Sequence, residues 1–81
     1  MQVRVRLFAS LREAVGRDRL DLNLPEGASV EEAWLSLTSQ HPSLEARRAS
    51  LAAAVNRTYA AFDAALRDGD EVVFIPPVSG G

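Results

Sequence analysis

Apolar and polar side chains alternate from Gln2 to Phe8. Val3, Val5 and Leu7 fall on one face, Gln2, Arg4, Arg6 and Phe8 on the other. A period of two predicts a strand with one buried face. Phe8 is the anomaly, an aromatic ring in register with arginines. Ser10-Leu11-Arg12-Glu13 fits a capping box, with Ser10 as N-cap and Glu13 three residues on. Leu11, Ala14 and Val15 supply an apolar face and Gly16 a stop, so a helix of about two turns is predicted. Alternation returns from Arg19 to Leu24, with Leu20, Leu22 and Leu24 inward, and Pro25-Glu26-Gly27 is a turn.

Ser29-Val30-Glu31-Glu32 is a second capping box. The stripe Val30, Ala33, Trp34 and Leu37 then predicts the major helix, closed before Pro42. Glu31 and Glu32 in its first turn suit the helix dipole, and Trp34 is expected as a core anchor. Ser43 to Ser50 reads as a loop or helical turn. Leu51 to Val55, small and apolar, reads as a buried strand; Asn56-Arg57 as a bend; Thr58-Tyr59-Ala60 as extended chain. The weakly patterned Phe62 to Leu66 is read as a short strand. Asp68-Gly69 is a turn, and Glu71 to Ile75 is a last strand ended by Pro76-Pro77.

Strands before and after one principal helix predict an α+β fold, a mixed sheet wrapped on that helix in a single core layer. The β-grasp, or ubiquitin-like, arrangement matches this order best; a ferredoxin-like fold would want two long helices. The expected division is a β-grasp domain over residues 1–75 and an extended tail over 76–81.

Composition narrows the chemistry. The 81 residues are 47% hydrophobic and 25% charged, ordinary for one small globular domain. There is no cysteine, which excludes disulfides, thiolate metal sites and a cysteine nucleophile. His41 is the only histidine, too little for a histidine metal cluster, and no metal site is expected. A net charge of −2 with mixed signs argues against nucleic-acid binding. No apolar run approaches a membrane span, and Arg4 and Arg6 interrupt the first apolar segment, so no membrane association and a cytoplasmic location are expected. Every basic residue other than His41 is arginine, so no lysine side chain is open to modification.

Candidate chemistry lies at the other end of the chain. Gly80-Gly81 follows Pro76-Pro77-Val78-Ser79. The prolines fix φ near the extended region and lower the entropic cost of ordering the tail. Two glycines make a tip thin enough for a narrow enzyme channel. The Gly81 carboxylate is a poor electrophile; activation, as an acyl-adenylate for example, would let a sulfur nucleophile attack it. On the last strand, Val72 and Phe74 fill one face and leave Val73 and Ile75 on the other, more apolar surface than a one-sided sheet needs. Phe8, Tyr59 and Ile75 are therefore candidates for an apolar partner-binding patch at the root of the tail.

The segment from Asp68 to Gly81, with Asp70-Glu71-Val72-Val73-Phe74-Ile75-Pro76-Pro77-Val78-Ser79-Gly80-Gly81, resembles the C-terminus of the molybdopterin-synthase small-subunit family of ubiquitin-like sulfur carriers. Val55-Asn56-Arg57-Thr58, Arg6-Leu7-Phe8-Ala9, Leu11-Arg12-Glu13 and Gly16 are similar to that family as well. The resemblance implies a β-grasp fold and a non-catalytic carrier subunit. A ubiquitin-activator-like adenylating enzyme would use ATP and Mg²⁺ to activate Gly81, and a persulfide sulfur donor would convert it to a thiocarboxylate. The large synthase subunit would then receive the tail, Pro76, Pro77, Val78, Ser79 and Gly80 giving entry, and sulfur would pass to cyclic pyranopterin monophosphate. No cofactor is expected on the chain itself. Three other readings remain open: a sulfur carrier for thiamine synthesis or tRNA thiolation, a ubiquitin-like protein modifier joined through Gly81 to lysines, and a β-grasp binding module without tail chemistry.

Overall fold

A computed structural model describes residues 1–77. The elements run β1 (Gln2–Leu7), α1 (Ala9–Val15), β2 (Arg19–Asn23), α2 (Val30–Gln40), a run of 3-10 turns (Pro42–Ser50), β3 (Ala52–Val55), β4 (Thr58–Ala60) and β5 (Glu71–Ile75). The five strands form one mixed sheet in the order β2-β1-β5-β3-β4. β1 and β5 are parallel at the centre, and every other neighbour is antiparallel. This is the β-grasp arrangement that the element order predicts.

One face of the sheet carries the core. Val3, Val5 and Leu7 from β1, Leu20 and Leu22 from β2, Ala53 from β3, and Val72 and Phe74 from β5 are buried against the α2 stripe Val30, Ala33, Trp34 and Leu37. Trp34 meets Phe74 edge to face, centroids 5.0 Å apart, and Phe62 stacks on Phe74 at 6.1 Å. Burial of such rings dominates the energetics of a small core.

The start of α1 departs from the sequence expectation. β1 ends at Leu7, and Phe8, not Ser10, occupies the N-cap position, with no side-chain cap bond. Ser10 lies inside the helix, where its Oγ accepts a hydrogen bond from Arg47 at 2.8 Å. The corner is turned at Ala9, whose φ of 50° is left-handed. A turn made this early begins the helix before Ser10 can cap it.

Phe62 to Leu66 is also not a strand; Ala65 makes only an isolated bridge to Ser29. Its carbonyls serve α2 instead. Val30 donates to Ala64 at 3.0 Å and Glu31 to Phe62 at 2.8 Å, while Glu32 donates to Ser29 Oγ at 3.2 Å. The first amides of a helix lack partners within it, and here a neighbouring segment supplies two and the Ser29 cap one. The ambiguous stretch from Ser43 to Ser50 resolves as 3-10 turns with Leu44 buried.

The β3–β4 hairpin closes on two residues, Asn56 and Arg57, with φ of 49° and 71°. Positive φ at both central positions is the hairpin turn whose twist matches the strands. Asn56 also ties this turn to β5: its Nδ2 donates to Asp70 at 2.9 Å, and its Oδ1 accepts from the Glu71 amide at 3.0 Å.

Candidate functional site

The face of the sheet away from α2 is built in rows, because cross-strand partners share a face. The end of this face far from the tail is polar: Gln2 stands opposite Asn23, then Asp21, Arg4 and Glu71 lie side by side, and Arg4 Nε stands 3.8 Å from Asp21. The next row crosses all five strands as Arg19, Arg6, Val73, Ala54 and Tyr59. The row nearest the tail pairs Ile75 with Ala52. Phe8 sits one residue beyond the last β1–β5 pair, Leu7 with Phe74. With φ −127° and ψ 159° it is still extended, so it continues the open face of β1 beside the position of Ile75. The Arg6 guanidinium lies 5.4 Å from its ring.

Phe8 is 45% exposed and Tyr59 78%, both large side chains that folding leaves outside the core. Ile75 and Val73 are half-buried. The register brings Phe8 and Ile75 onto neighbouring strands. Tyr59 is held apart from them on edge strand β4, and the gap is floored by Ala52, Ala54 and Val73. The apolar surface is thus a shallow, small-residue floor with an aromatic ring at each side. Val73 and Arg6 show in the alternation of β5 and β1; Ala52 and Ala54 join them only once the register is known.

The surface ends where the tail begins. Ile75 is the last residue of central strand β5, followed by half-buried Pro76 and exposed Pro77. Val78, Ser79, Gly80 and Gly81 lie outside the described residues. Among the described residues no group of three or more His, Cys, Asp or Glu side chains is placed to hold a metal ion. No described helix is long and apolar enough to cross a membrane.

Off the open face, Arg48 braces the α2 end of the fold. Its Nη2 and Nε donate to the Glu31 carboxylate at 2.6 and 3.0 Å, and its guanidinium lies 3.4 Å from the Phe62 ring centre. These hydrogen bonds hold the Glu31 carboxyl below its ordinary value of 4.5 and raise Arg48. The pair fixes the residue 62–66 segment over the start of α2.

The profile of the ThiS family matches residues 5–81. The chain belongs to the ThiS family. Among its relatives, the molybdopterin synthase sulfur carrier subunit of Arabidopsis thaliana is 36% identical over 81 residues, covering 100% of this chain and 84% of the relative. The subunit of the same name from Escherichia coli (strain K12) is 38% identical over 81 residues, covering 98% and 99%. The crystal structure of small archaeal modifier protein 1 from Haloferax volcanii superposes with a TM-score of 0.91 at 31% identity, covering 100% of both chains. This ThiS-family chain therefore has relatives named as sulfur carriers and a structural neighbour named as a modifier.

Proposed function

We propose that this chain is the sulfur-carrier subunit of a molybdopterin synthase. The observation that carries the reading is its end-to-end similarity to sulfur carrier subunits at 36% and 38% identity. The apolar floor that ends at the root of the tail supports it. Phe8, Tyr59 and Ile75 dock on the partner, and the prolines project Gly80-Gly81 into its channel.

The chemistry proceeds in balanced steps. Adenylation joins the Gly81 carboxylate to AMP and releases pyrophosphate from ATP. A persulfide R–S–S⁻ attacks the acyl carbon, and AMP leaves. A thiol then attacks the R-bearing sulfur of the acyl disulfide, which forms a new disulfide and frees the thiocarboxylate. The terminal sulfur forms a carbon–sulfur bond to the pterin precursor in the large subunit as a carbon–oxygen bond on that carbon breaks and its oxygen leaves as water or phosphate. Water then cleaves the acyl–sulfur bond, which leaves the sulfur on the pterin and restores the Gly81 carboxylate. ATP and Mg²⁺ belong to the adenylating enzyme and the pterin site to the large subunit. The carrier itself holds no cofactor and works in the cytoplasm. Passing through an activated intermediate divides one difficult step into easier ones.

The test is the intact mass of the chain after incubation with its adenylating enzyme, ATP and a sulfur donor. A gain equal to oxygen replaced by sulfur, mapped to Gly81, is expected. An unchanged mass, with the enzyme active on another carrier, would sink the reading.

The likeness to small archaeal modifier protein 1 favours a second reading, a protein modifier joined through Gly81 to target lysines. Conjugates carrying an isopeptide bond to Gly81 would support it.

A further inference from the structure

Arg6 and Arg19 stand directly opposite one another on β1 and β2. Like charges in that position destabilise a sheet. Neither arginine is in an ion pair among the described residues, whereas Arg4, one pair farther along the same face, has Asp21 at 3.8 Å. Folding alone would favour a carboxylate at position 19, and the same two strands use that solution at Arg4. The repulsive pair therefore points to a use outside the fold.

Its surroundings indicate the use. Arg6 and Arg19 form one end of the row that continues through Val73 and Ala54 to Tyr59. A protein seated on the apolar floor must also face the two guanidinium groups. Arg6 is half-buried and lies over the Phe8 ring, so part of its side-chain freedom is already lost before binding. Beside Arg19, Arg17 and Arg12 line a shallow depression with Glu13, Asp18 and Gly16, which carries the basic surface around the corner of the sheet. The chain as a whole is acidic, at −2, so this corner runs against its average.

We propose that Arg6 and Arg19 form a cationic rim that pairs with a carboxylate cluster on the large synthase subunit, bordering the apolar contact of that subunit with Phe8 and Ile75. The proposal rests on the docking reading above and adds the charge pattern of the partner. The arginines set orientation and speed encounter, while the apolar floor holds the complex, the usual division of labour between charged rim and apolar centre. Arginine suits the role because its planar fork binds a carboxylate with two parallel hydrogen bonds.

The experiment measures affinity of the full chain for its cognate large subunit at low and moderate salt, beside thermal unfolding of the free chain. Arg19→Glu is expected to raise the unfolding temperature, because it turns repulsion with Arg6 into attraction. The same variant is expected to weaken binding about tenfold or more at low salt and to flatten the salt dependence. The double variant Arg6→Gln with Arg19→Gln, which adds no carboxylate, is expected to lose binding in the same direction. Arg67→Glu, with the same charge change in the turn before β5, should bind like the parent chain. Unchanged affinity and salt slope in both rim variants, with binding still lost in Phe8→Ala, would overturn the rim and keep the docking reading. Unchanged binding in Phe8→Ala as well would overturn both.

Discussion

Arg48 holds Glu31 with three hydrogen bonds of 2.6 to 3.0 Å while its guanidinium lies over Phe62. The ion pair joins the 3-10 segment to the first turn of α2, and the stack joins both to the segment that satisfies the α2 amides. The pair is about one-third exposed, which limits its worth to well under that of a buried bridge. Arg48→Ala should destabilise the fold by about 1 kcal/mol, the sum of a screened ion pair and a partly exposed cation–π contact. A fall of roughly 4–8 °C in unfolding temperature would match that figure.

The same pair sets a pH dependence. The folded state lowers the Glu31 pKa, so its contribution is complete above the ordinary value of 4.5 and disappears as pH falls through the lower folded value. Stability measured from pH 7 to pH 3 should therefore decline more steeply at the acid end in the parent chain than in Glu31→Gln. Parallel curves would show that Glu31 does not contribute.

Arg57 has a φ of 71° at the tip of the β3–β4 hairpin, where a side chain is strained. Arg57→Gly should relieve part of that strain and stabilise the fold by about 0.5–1 kcal/mol. Asn56→Ala should act the other way, losing the bonds to Asp70 and Glu71, by about 1–2 kcal/mol. Chemical denaturation of the two variants distinguishes them by sign.

Phe8 and Tyr59 are exposed, so truncating either should leave stability within about 0.5 kcal/mol of the parent. Partner affinity should fall by about tenfold or more, the behaviour of aromatic anchors at an interface. Lowered thermal stability with unchanged affinity would assign the ring to folding instead.

Gly81→Ala should fold normally and lose most sulfur transfer, because the added methyl group meets the channel at the reacting end. Single-turnover formation of the thiocarboxylate is the readout. Full activity would refute a narrow channel.

Much of this fold is legible in the chain. Val3, Val5 and Leu7, the Ser29 cap with its α2 stripe, and Val72 and Phe74 announce themselves because each is a local period or a local bond. What stays hidden depends on distant partners. Ser10 fits a cap by spacing, yet the early turn at Ala9 and the bond from Arg47 give it another task. Phe62 to Leu66 reads as a weak strand, yet its carbonyls answer the first amides of α2 rather than a ladder. For the candidate site, Phe8 and Ile75 stand out as apolar residues on the wrong face, whereas the opposition of Arg6 and Arg19 requires the β1–β2 register.

β5 lies in the middle of the sheet, parallel to β1. Any force exerted on the tail is therefore delivered to a strand with a paired neighbour on each side. A pull on the tail against the start of β1 loads their shared ladder in shear, so its bonds must yield together rather than one after another. A load on the tail is thus spread over the whole β1–β5 ladder and not concentrated on its last bond.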